Sequence, residues 1–151
     1  MLQEKNTYDF IKGRMTEFGL KATQQRFVIY RELASRKDHP TAEKIHDSIR
    51  SANPSLSLGT IYKTLDTFVE VKLACKVLSD KGVYRYDANI DSHNHIYCEN
   101  TEEILDYKDN ELNDLIQKFF SEKNIDNLNI KEIRLQIIAD KINPDKEAKI
   151  N

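Results

Sequence analysis

Within residues 1–90, apolar side chains recur at helical spacing in four short segments, and a turn signal cuts off each one before it becomes a long helix. Residues 8–18 carry Phe10, Ile11, Met15 and Phe18 on one stripe, which Gly19 ends. Thr23 is placed to cap a second helix whose buried face would include Phe27, Ile29, Tyr30 and Leu33. In Asp38-His39-Pro40-Thr41 the proline disfavours helix at His39, so a turn precedes a cap. A third helix follows through Ile45 and Ile49 to a break at Asn53-Pro54, and Ser57 caps a fourth over residues 57–69. At about 100° per residue, Leu58, Ile61, Leu65, Phe68 and Val69 share one face of that helix. Thr60, Lys63, Asp66 and Thr67 share the other, with Tyr62 at the edge. Two extended runs, residues 73–78 and 83–87, then flank Ser79-Asp80-Lys81-Gly82, where Asp-Lys-Gly is a turn signal. Three helices, a capped fourth and a hairpin make the outline of a winged helix-turn-helix.

From Asp91 the order changes to strand, strand, helix, strand. Residues 93–97 and 103–107 read as extended. Leu112, Leu115, Ile116 and Phe119 mark an amphipathic helix, and residues 130–139 are β-rich. The polar tail after Asn143-Pro144 is expected to fray. The fold class expected is therefore α+β. It comprises a winged helix over residues 1–87, a hinge at 88–92, a small α/β dimerisation domain over 93–143 and a flexible tail at 144–151. The second domain has few apolar residues with which to close a core alone. A second copy would supply the rest, so a homodimer is expected.

Bulk composition narrows the class. A hydrophobic content of 39% beside 32% charged residues describes an ordinary folded protein rather than a disordered one. No apolar run approaches the roughly 18 residues that span a bilayer, so no membrane partner is expected. Met1-Leu2-Gln3-Glu4-Lys5 lacks the basic-then-apolar layout of a secretory signal. Cys75 and Cys98 form no disulfide framework, and the cytoplasm is the expected location. Residues 1–90 hold 15 Lys and Arg against 11 Asp and Glu, whereas residues 91–151 hold 8 against 14. That division suggests that only the first half meets a polyanion, although chance clustering of solvated charges gives the same sums.

Four histidines occur, and His93-Asn94-His95 is the most informative local feature. On a strand, residues two apart point to one side, so both imidazoles face one point. A metal site and an exposed pair on an edge strand both fit that spacing. Asp87, Asp91 and Asp106 are the carboxylates near in sequence. Imidazole and carboxylate without thiolate suit Fe²⁺, Mn²⁺ or Zn²⁺ better than Cu⁺. Cys98-Glu99-Asn100-Thr101 has one sulfur where a zinc-binding CxxC has two, and no cysteine follows. The fourth helix is the candidate DNA reader, through Ser57, Thr60, Tyr62 and Lys63, with Arg14, Lys21 and Arg26 available for backbone contacts. An ordinary amphipathic surface helix has the same pattern. Asp66 and Glu70 would repel phosphate, so only the N-terminal part of the helix should enter a groove.

Several separated motifs, in order, resemble the ferric uptake regulator (Fur) superfamily. They are Gly19-Leu20-Lys21-Ala22-Thr23-Gln24-Gln25-Arg26, Asp38-His39-Pro40-Thr41-Ala42-Glu43 and Ser57-Leu58-Gly59-Thr60-Ile61-Tyr62. Arg85-Tyr86-Asp87, His93-Asn94-His95-Ile96-Tyr97-Cys98-Glu99-Asn100 and Ile104-Leu105-Asp106-Tyr107 continue them. The resemblance spans roughly residues 10 to 140 and implies a winged helix followed by a dimerisation domain. It places the regulatory metal on His39, Asp87, His93, His95 and Asp106. Aspartate as the last ligand is the pattern of PerR-type peroxide sensors, where iron-sensing members more often show glutamate. The resemblance thus implies a repressor that holds Fe²⁺ or Mn²⁺, with Zn²⁺ able to enter in vitro. Peroxide would act through iron on His39 and His93, releasing a palindromic operator.

Three departures qualify the resemblance. The cysteines of the family's structural zinc are missing, with Thr101 in place of one and a cysteine-free C-terminus, so no structural zinc is expected. The dimer must then rest on apolar packing such as Leu115, Phe119, Leu135 and Ile137. Asn94 stands for a usual aspartate, and Glu132-Ile133 lies where histidine is expected, which removes support for a second metal site. Lys63 replaces a common Asn or Arg on the reading face. His46 and Cys75 receive no role, with solvent and core as their expected places. Competing readings are a repressor that reports iron, manganese or zinc supply, a non-haem metalloenzyme, and a winged-helix regulator independent of metal. Five protein ligands would leave an enzyme little room for substrate, and no glycine-rich loop or general base is evident, so no enzymatic activity is expected.

Overall fold

The protein is described by a computed structural model covering residues 7–79, 81–91 and 93–150. Residues 1–5 of the N-terminal reading, Asp80 of the hairpin turn, Ser92 of the expected hinge and Asn151 of the expected tail lie outside the described residues. The chain divides into two compact units, Met1–Asp91 and Ser92–Asn151.

The first unit is built from α1 (Tyr8–Glu17), α2 (Gln24–Ser35), α3 (Ala42–Ile49) and α4 (Leu58–Glu70). Each begins on a hydroxyl. Thr7, Thr23, Thr41 and Ser57 accept the backbone N–H three residues on, at 3.4, 3.3, 3.2 and 3.2 Å. Such a cap satisfies one of the orphan donors of a helix start and contributes about 1 kcal/mol. Gly19 ends the first helical segment at φ +73°, a conformation that side chains other than glycine's disfavour. α3 stops at Ile49, earlier than the Asn53-Pro54 break, and in the turn beyond it the Asn53 side-chain amide and backbone N–H both donate to the Ile49 carbonyl at 3.0 Å.

The helices close one core from Ile11 and Met15 of α1, Phe27 to Tyr30 and Leu33 of α2, Ile45 of α3, and Ile61, Leu65 and Phe68 of α4. Tyr30 meets Phe68 edge to face at 5.6 Å. Phe10 departs from its expected place: at 39% exposure it lies beside the buried stripe formed by Ile11 and Met15, which are four apart. The chain then forms a hairpin, β1 (Cys75–Leu78) antiparallel to β2 (Tyr84–Asp87), with Cys75 opposite Asp87. Both strands are shorter than the predicted runs. A helical bundle followed by a two-stranded wing is the winged helix that the spacing of apolar residues predicts.

The second unit is a three-stranded sheet with β3 (Asn94–Cys98) in the centre. β4 (Glu103–Tyr107) pairs with it antiparallel and β5 (Gln136–Ala139) parallel, and α5 (Asn110–Ser121) makes the crossover between β4 and β5. Asp109 caps α5 through the Leu112 N–H at 3.0 Å. The predicted β-rich run begins later than expected, at Gln136 rather than residue 130. A strand needs a ladder partner, and β5 pairs only along His95–Cys98 of the short β3. No residue of α5 is buried, and Leu115 and Phe119 are 66% and 54% exposed. Leu135 and Ile137 are half-buried. Among the described residues of this unit only Asn94, Tyr97, Cys98 and Ile104 are buried. Helices beside small sheets make the fold α+β. No helix among the described residues is long and apolar enough to cross a membrane.

Candidate metal centre

The ligand candidates of the second unit arise from strand geometry. His93, immediately before β3, and His95 within it lie two apart in extended chain, so their rings leave on the same side. Their Nε2 atoms stand 3.0 Å apart, and the rings are nearly perpendicular. The β3–β4 register sets His95 opposite Asp106. Asp106 Oδ1 thereby lies 3.3 Å from His93 Nε2 and 3.8 Å from His95 Nε2. The His93 side chain is 4% exposed and that of Asp106 41%, so the cluster has one wet edge. Two imidazole nitrogens and a carboxylate oxygen converging in this way can share a proton or hold a cation.

The first unit brings its own two candidates together. His39 is buried in the turn before α3, with φ +49°. Its Nε2 lies 3.4 Å from Oδ2 of Asp87, the last residue of β2. Asp87 Oδ1 accepts the Asn89 N–H at 2.8 Å, which fixes the carboxylate plane. Asp91, the third carboxylate near in sequence, is exposed and belongs to neither cluster.

The donors fit a borderline or hard divalent cation. They are imidazole nitrogens and carboxylate oxygens, the set that suits Fe²⁺, Mn²⁺ and Zn²⁺. No cysteine sulfur is among the converging donors of the described residues. Burial pushes the Cys98 thiol up, which disfavours its metal-binding form. Cys75, expected in the core, is half-buried with Sγ 3.8 Å from the Asn89 carbonyl. His46, expected in solvent, is half-buried with Nε2 3.1 Å from the Leu56 carbonyl.

The candidate DNA residues divide by how they are held. Ser57 and Thr60 meet in the α4 cap, their hydroxyls 2.9 Å apart. Lys63 on α4 and Lys21 before α2 are exposed. Tyr62, 38% exposed, donates its hydroxyl to Glu43 of α3 at 2.5 Å. That carboxylate raises the Tyr62 phenol to about 12, and the phenol in turn lowers Glu43. Arg14 pairs with Glu17 at 3.0 Å and stacks over Phe18, while Arg26 donates to the Lys21 carbonyl at 2.9 Å. Both arginines therefore have structural partners already. Lys76 of β1 meets Asp66 at 2.8 Å, offsetting one of the two carboxylates on α4 that would repel phosphate. Sequence reasoning missed Glu43 and Lys76. Their partners are 19 and 10 residues away, and no local spacing announces such contacts.

Comparison with known proteins gives a consistent result. Residues 17–138 match the profile of the Ferric uptake regulator family. The peroxide-responsive repressor PerR of Staphylococcus aureus (strain Mu50) is 32% identical over 101 residues, 67% of this chain and 68% of that one. The fold is similar to that of the Helicobacter pylori ferric uptake regulator Fur, described as having three functional metal binding sites. The TM-score is 0.74 at 18% identity, covering 99% of this chain and 97% of that one. It is also similar to the ferric uptake regulator of Pseudomonas aeruginosa with manganese, at a TM-score of 0.73 and 23% identity, covering 88% and 98%.

Proposed function

The chain belongs to the ferric uptake regulator family and is, as a member, a metal-responsive transcriptional repressor; we propose that the signal it answers is hydrogen peroxide. The observation that carries this reading is the His93–His95–Asp106 cluster, with 3.0, 3.3 and 3.8 Å between its donor atoms and aspartate as the carboxylate. In this reading one Fe²⁺ or Mn²⁺ takes its ligands from both clusters, His39 and Asp87 together with His93, His95 and Asp106. Fe²⁺ held by these residues would supply redox chemistry toward hydrogen peroxide that Mn²⁺ would supply poorly; in the net reaction one peroxide oxygen would go to a ligand histidine and the other would leave as water.

The chain's own residues convert that event into release of DNA. His39 and Asp87 belong to the unit that carries α4, and the other three ligands belong to the second unit. A shared cation ties the DNA-binding unit to the dimerising one. By linkage, metal favours the DNA-binding arrangement by as much as DNA favours metal retention. His39 and His93 are the oxidation-sensitive positions, and loss of either as a ligand loosens the tie. DNA contact falls to the start of α4, with Ser57, Thr60, Tyr62 and Lys63 toward the groove and Arg14, Lys21 and Arg26 toward the backbone. The exposed Leu115 and Phe119 of α5, with Leu135 and Ile137, pack against a second copy, and a two-fold dimer reads a palindromic duplex.

A duplex selected from a random pool in the presence of Mn²⁺ provides the test. Protein loaded with Fe²⁺ should release it after mild peroxide, and protein loaded with Mn²⁺ should retain it. Retention in both cases would make the protein a reporter of metal supply. Binding unaffected by His93→Ala and Asp106→Ala would make it independent of metal.

A further inference from the structure

Three consecutive residues of β2 grip the turn that carries His39, each with a different group. Tyr86 donates its backbone N–H to the Pro40 carbonyl at 2.9 Å. Asp87 sets its carboxylate against the His39 imidazole. Arg85, buried, donates from Nε to the His39 carbonyl and from Nη2 to the Asp38 carbonyl, the latter at 2.6 Å. Side chains alternate along a strand, so Arg85 and Asp87 leave β2 on one side while Tyr86 leaves on the other, into the core. One strand thus holds both the main chain and the ring of the same histidine.

The turn requires such a hold. At φ +49° His39 occupies the left-handed region, which costs a residue with a Cβ free energy and persists only where surrounding contacts enforce it. Two successive carbonyls, those of Asp38 and His39, point at one planar fork, a geometry that guanidinium matches and ammonium does not. Guanidinium has no lone pair to offer a cation, so Arg85 is not itself a ligand, and its hydrogen bonds reach the site through the turn that carries His39.

We infer that Arg85 is a positioning residue for the metal ligand His39, holding the turn in which His39 is left-handed so that the imidazole faces Asp87 before any metal binds. This rests on the proposed metal reading and adds to it a residue that contributes no donor atom. Arg85 lies 46 residues from His39 in sequence, and partners that orient ligands in this way typically change metal affinity by about 10- to 100-fold.

The test uses the full chain and Mn²⁺ alone as the probe, with Arg85→Met, Arg85→Lys and, as a reference, His93→Ala. Arg85→Met keeps the apolar stem and removes the fork. It should weaken Mn²⁺ binding at least about tenfold. In the metal-free protein it should also move the ring-nitrogen NMR shifts of His39 while leaving those of His93 and His95 in place. Arg85→Lys should recover part of both effects. If Arg85→Met binds Mn²⁺ like the parent while His93→Ala does not, the role of Arg85 is overturned and the metal reading stands. If His93→Ala also binds like the parent, the metal reading falls and takes this role with it. Should Arg85→Met fail to fold, Arg85→Lys decides: parental His39 shifts and Mn²⁺ affinity overturn the role, whereas displaced shifts with weakened affinity support it.

Discussion

Removing the hydroxyl of Ser57 separates what α4 needs in order to form from what it needs in order to bind DNA. Ser57 Oγ accepts the Thr60 N–H at 3.2 Å and shares a second hydrogen bond with the Thr60 hydroxyl. The body of the helix is held independently by Ile61, Leu65 and Phe68, all fully buried, so the damage from Ser57→Ala stays at the cap. A lost Ser cap costs about 1 kcal/mol. In a unit of this size that lowers Tm by roughly 4–8 °C. Ser57→Asp keeps an acceptor at the same place and adds a charge that the helix N-terminus favours, so its Tm should stay within a degree or two (about 0.3 kcal/mol) of the parent. Against phosphate, the same charge is a liability. Repulsion between unit charges about 4 Å apart is ~1 kcal/mol in bulk water and ~4 kcal/mol near a protein surface. Operator affinity of Ser57→Asp should therefore fall on the order of tenfold or more at low salt, and the loss should shrink as salt rises. Thermal melts and fluorescence anisotropy at two salt concentrations read both effects. Parental DNA affinity in Ser57→Asp would show that the start of α4 does not face phosphate. An unchanged Tm in Ser57→Ala would refute the capping argument itself.

Other consequences follow from single contacts. Glu43→Gln should bring the Tyr62 phenol down from about 12 toward its ordinary value, read by NMR titration of labelled tyrosine. A double-mutant cycle of Glu43→Gln with Tyr62→Phe should give no more than about 1 kcal/mol of coupling, because the pair is exposed. Arg36 holds the Asp38 carboxyl below the usual carboxylate value, chiefly through its side-chain hydrogen bonds at 2.6 and 2.8 Å. A depressed folded-state pKa gives stability that is present above the unfolded-state value of about 3.9 and lost as pH falls through the folded one. Acid unfolding should therefore show Arg36→Ala less stable than the parent at neutral pH, with the two curves converging at the acid end. Sedimentation should give a dimer for the parent and a monomer for Leu115→Glu/Phe119→Glu, with far-ultraviolet circular dichroism unchanged.

What was legible in the sequence follows the range of the interactions. The caps at Thr23, Thr41 and Ser57 each act on a backbone N–H three residues away, and their spacing is visible in the chain itself. The buried faces of α2 and α4 follow from helical periodicity, although Phe10 shows that a neighbour of the stripe need not be in it. His93 and His95 share a side because strands alternate, so two of the three members of the second unit's cluster are readable by eye. Their juxtaposition with Asp106 depends on the register of β3 against β4, which no single strand encodes. The pairing of His39 with Asp87 came only from resemblance, since a turn and a strand end 48 residues apart have no common period. Arg85 carried no signal as a lone arginine; its alternation with Asp87 on one strand is the clue that could have found it. Residues 130–135 look extended in composition, but the strand itself begins at Gln136, so pattern alone placed the start of β5 too early.

The most direct measurement is peptide mass spectrometry of the protein loaded with Fe²⁺ or with Mn²⁺ and then exposed to mild peroxide. A peroxide sensor gains one oxygen on the peptide holding His39 or His93, with iron only. Metal binding without oxidation of either histidine would contradict peroxide sensing and leave a regulator that reports metal supply.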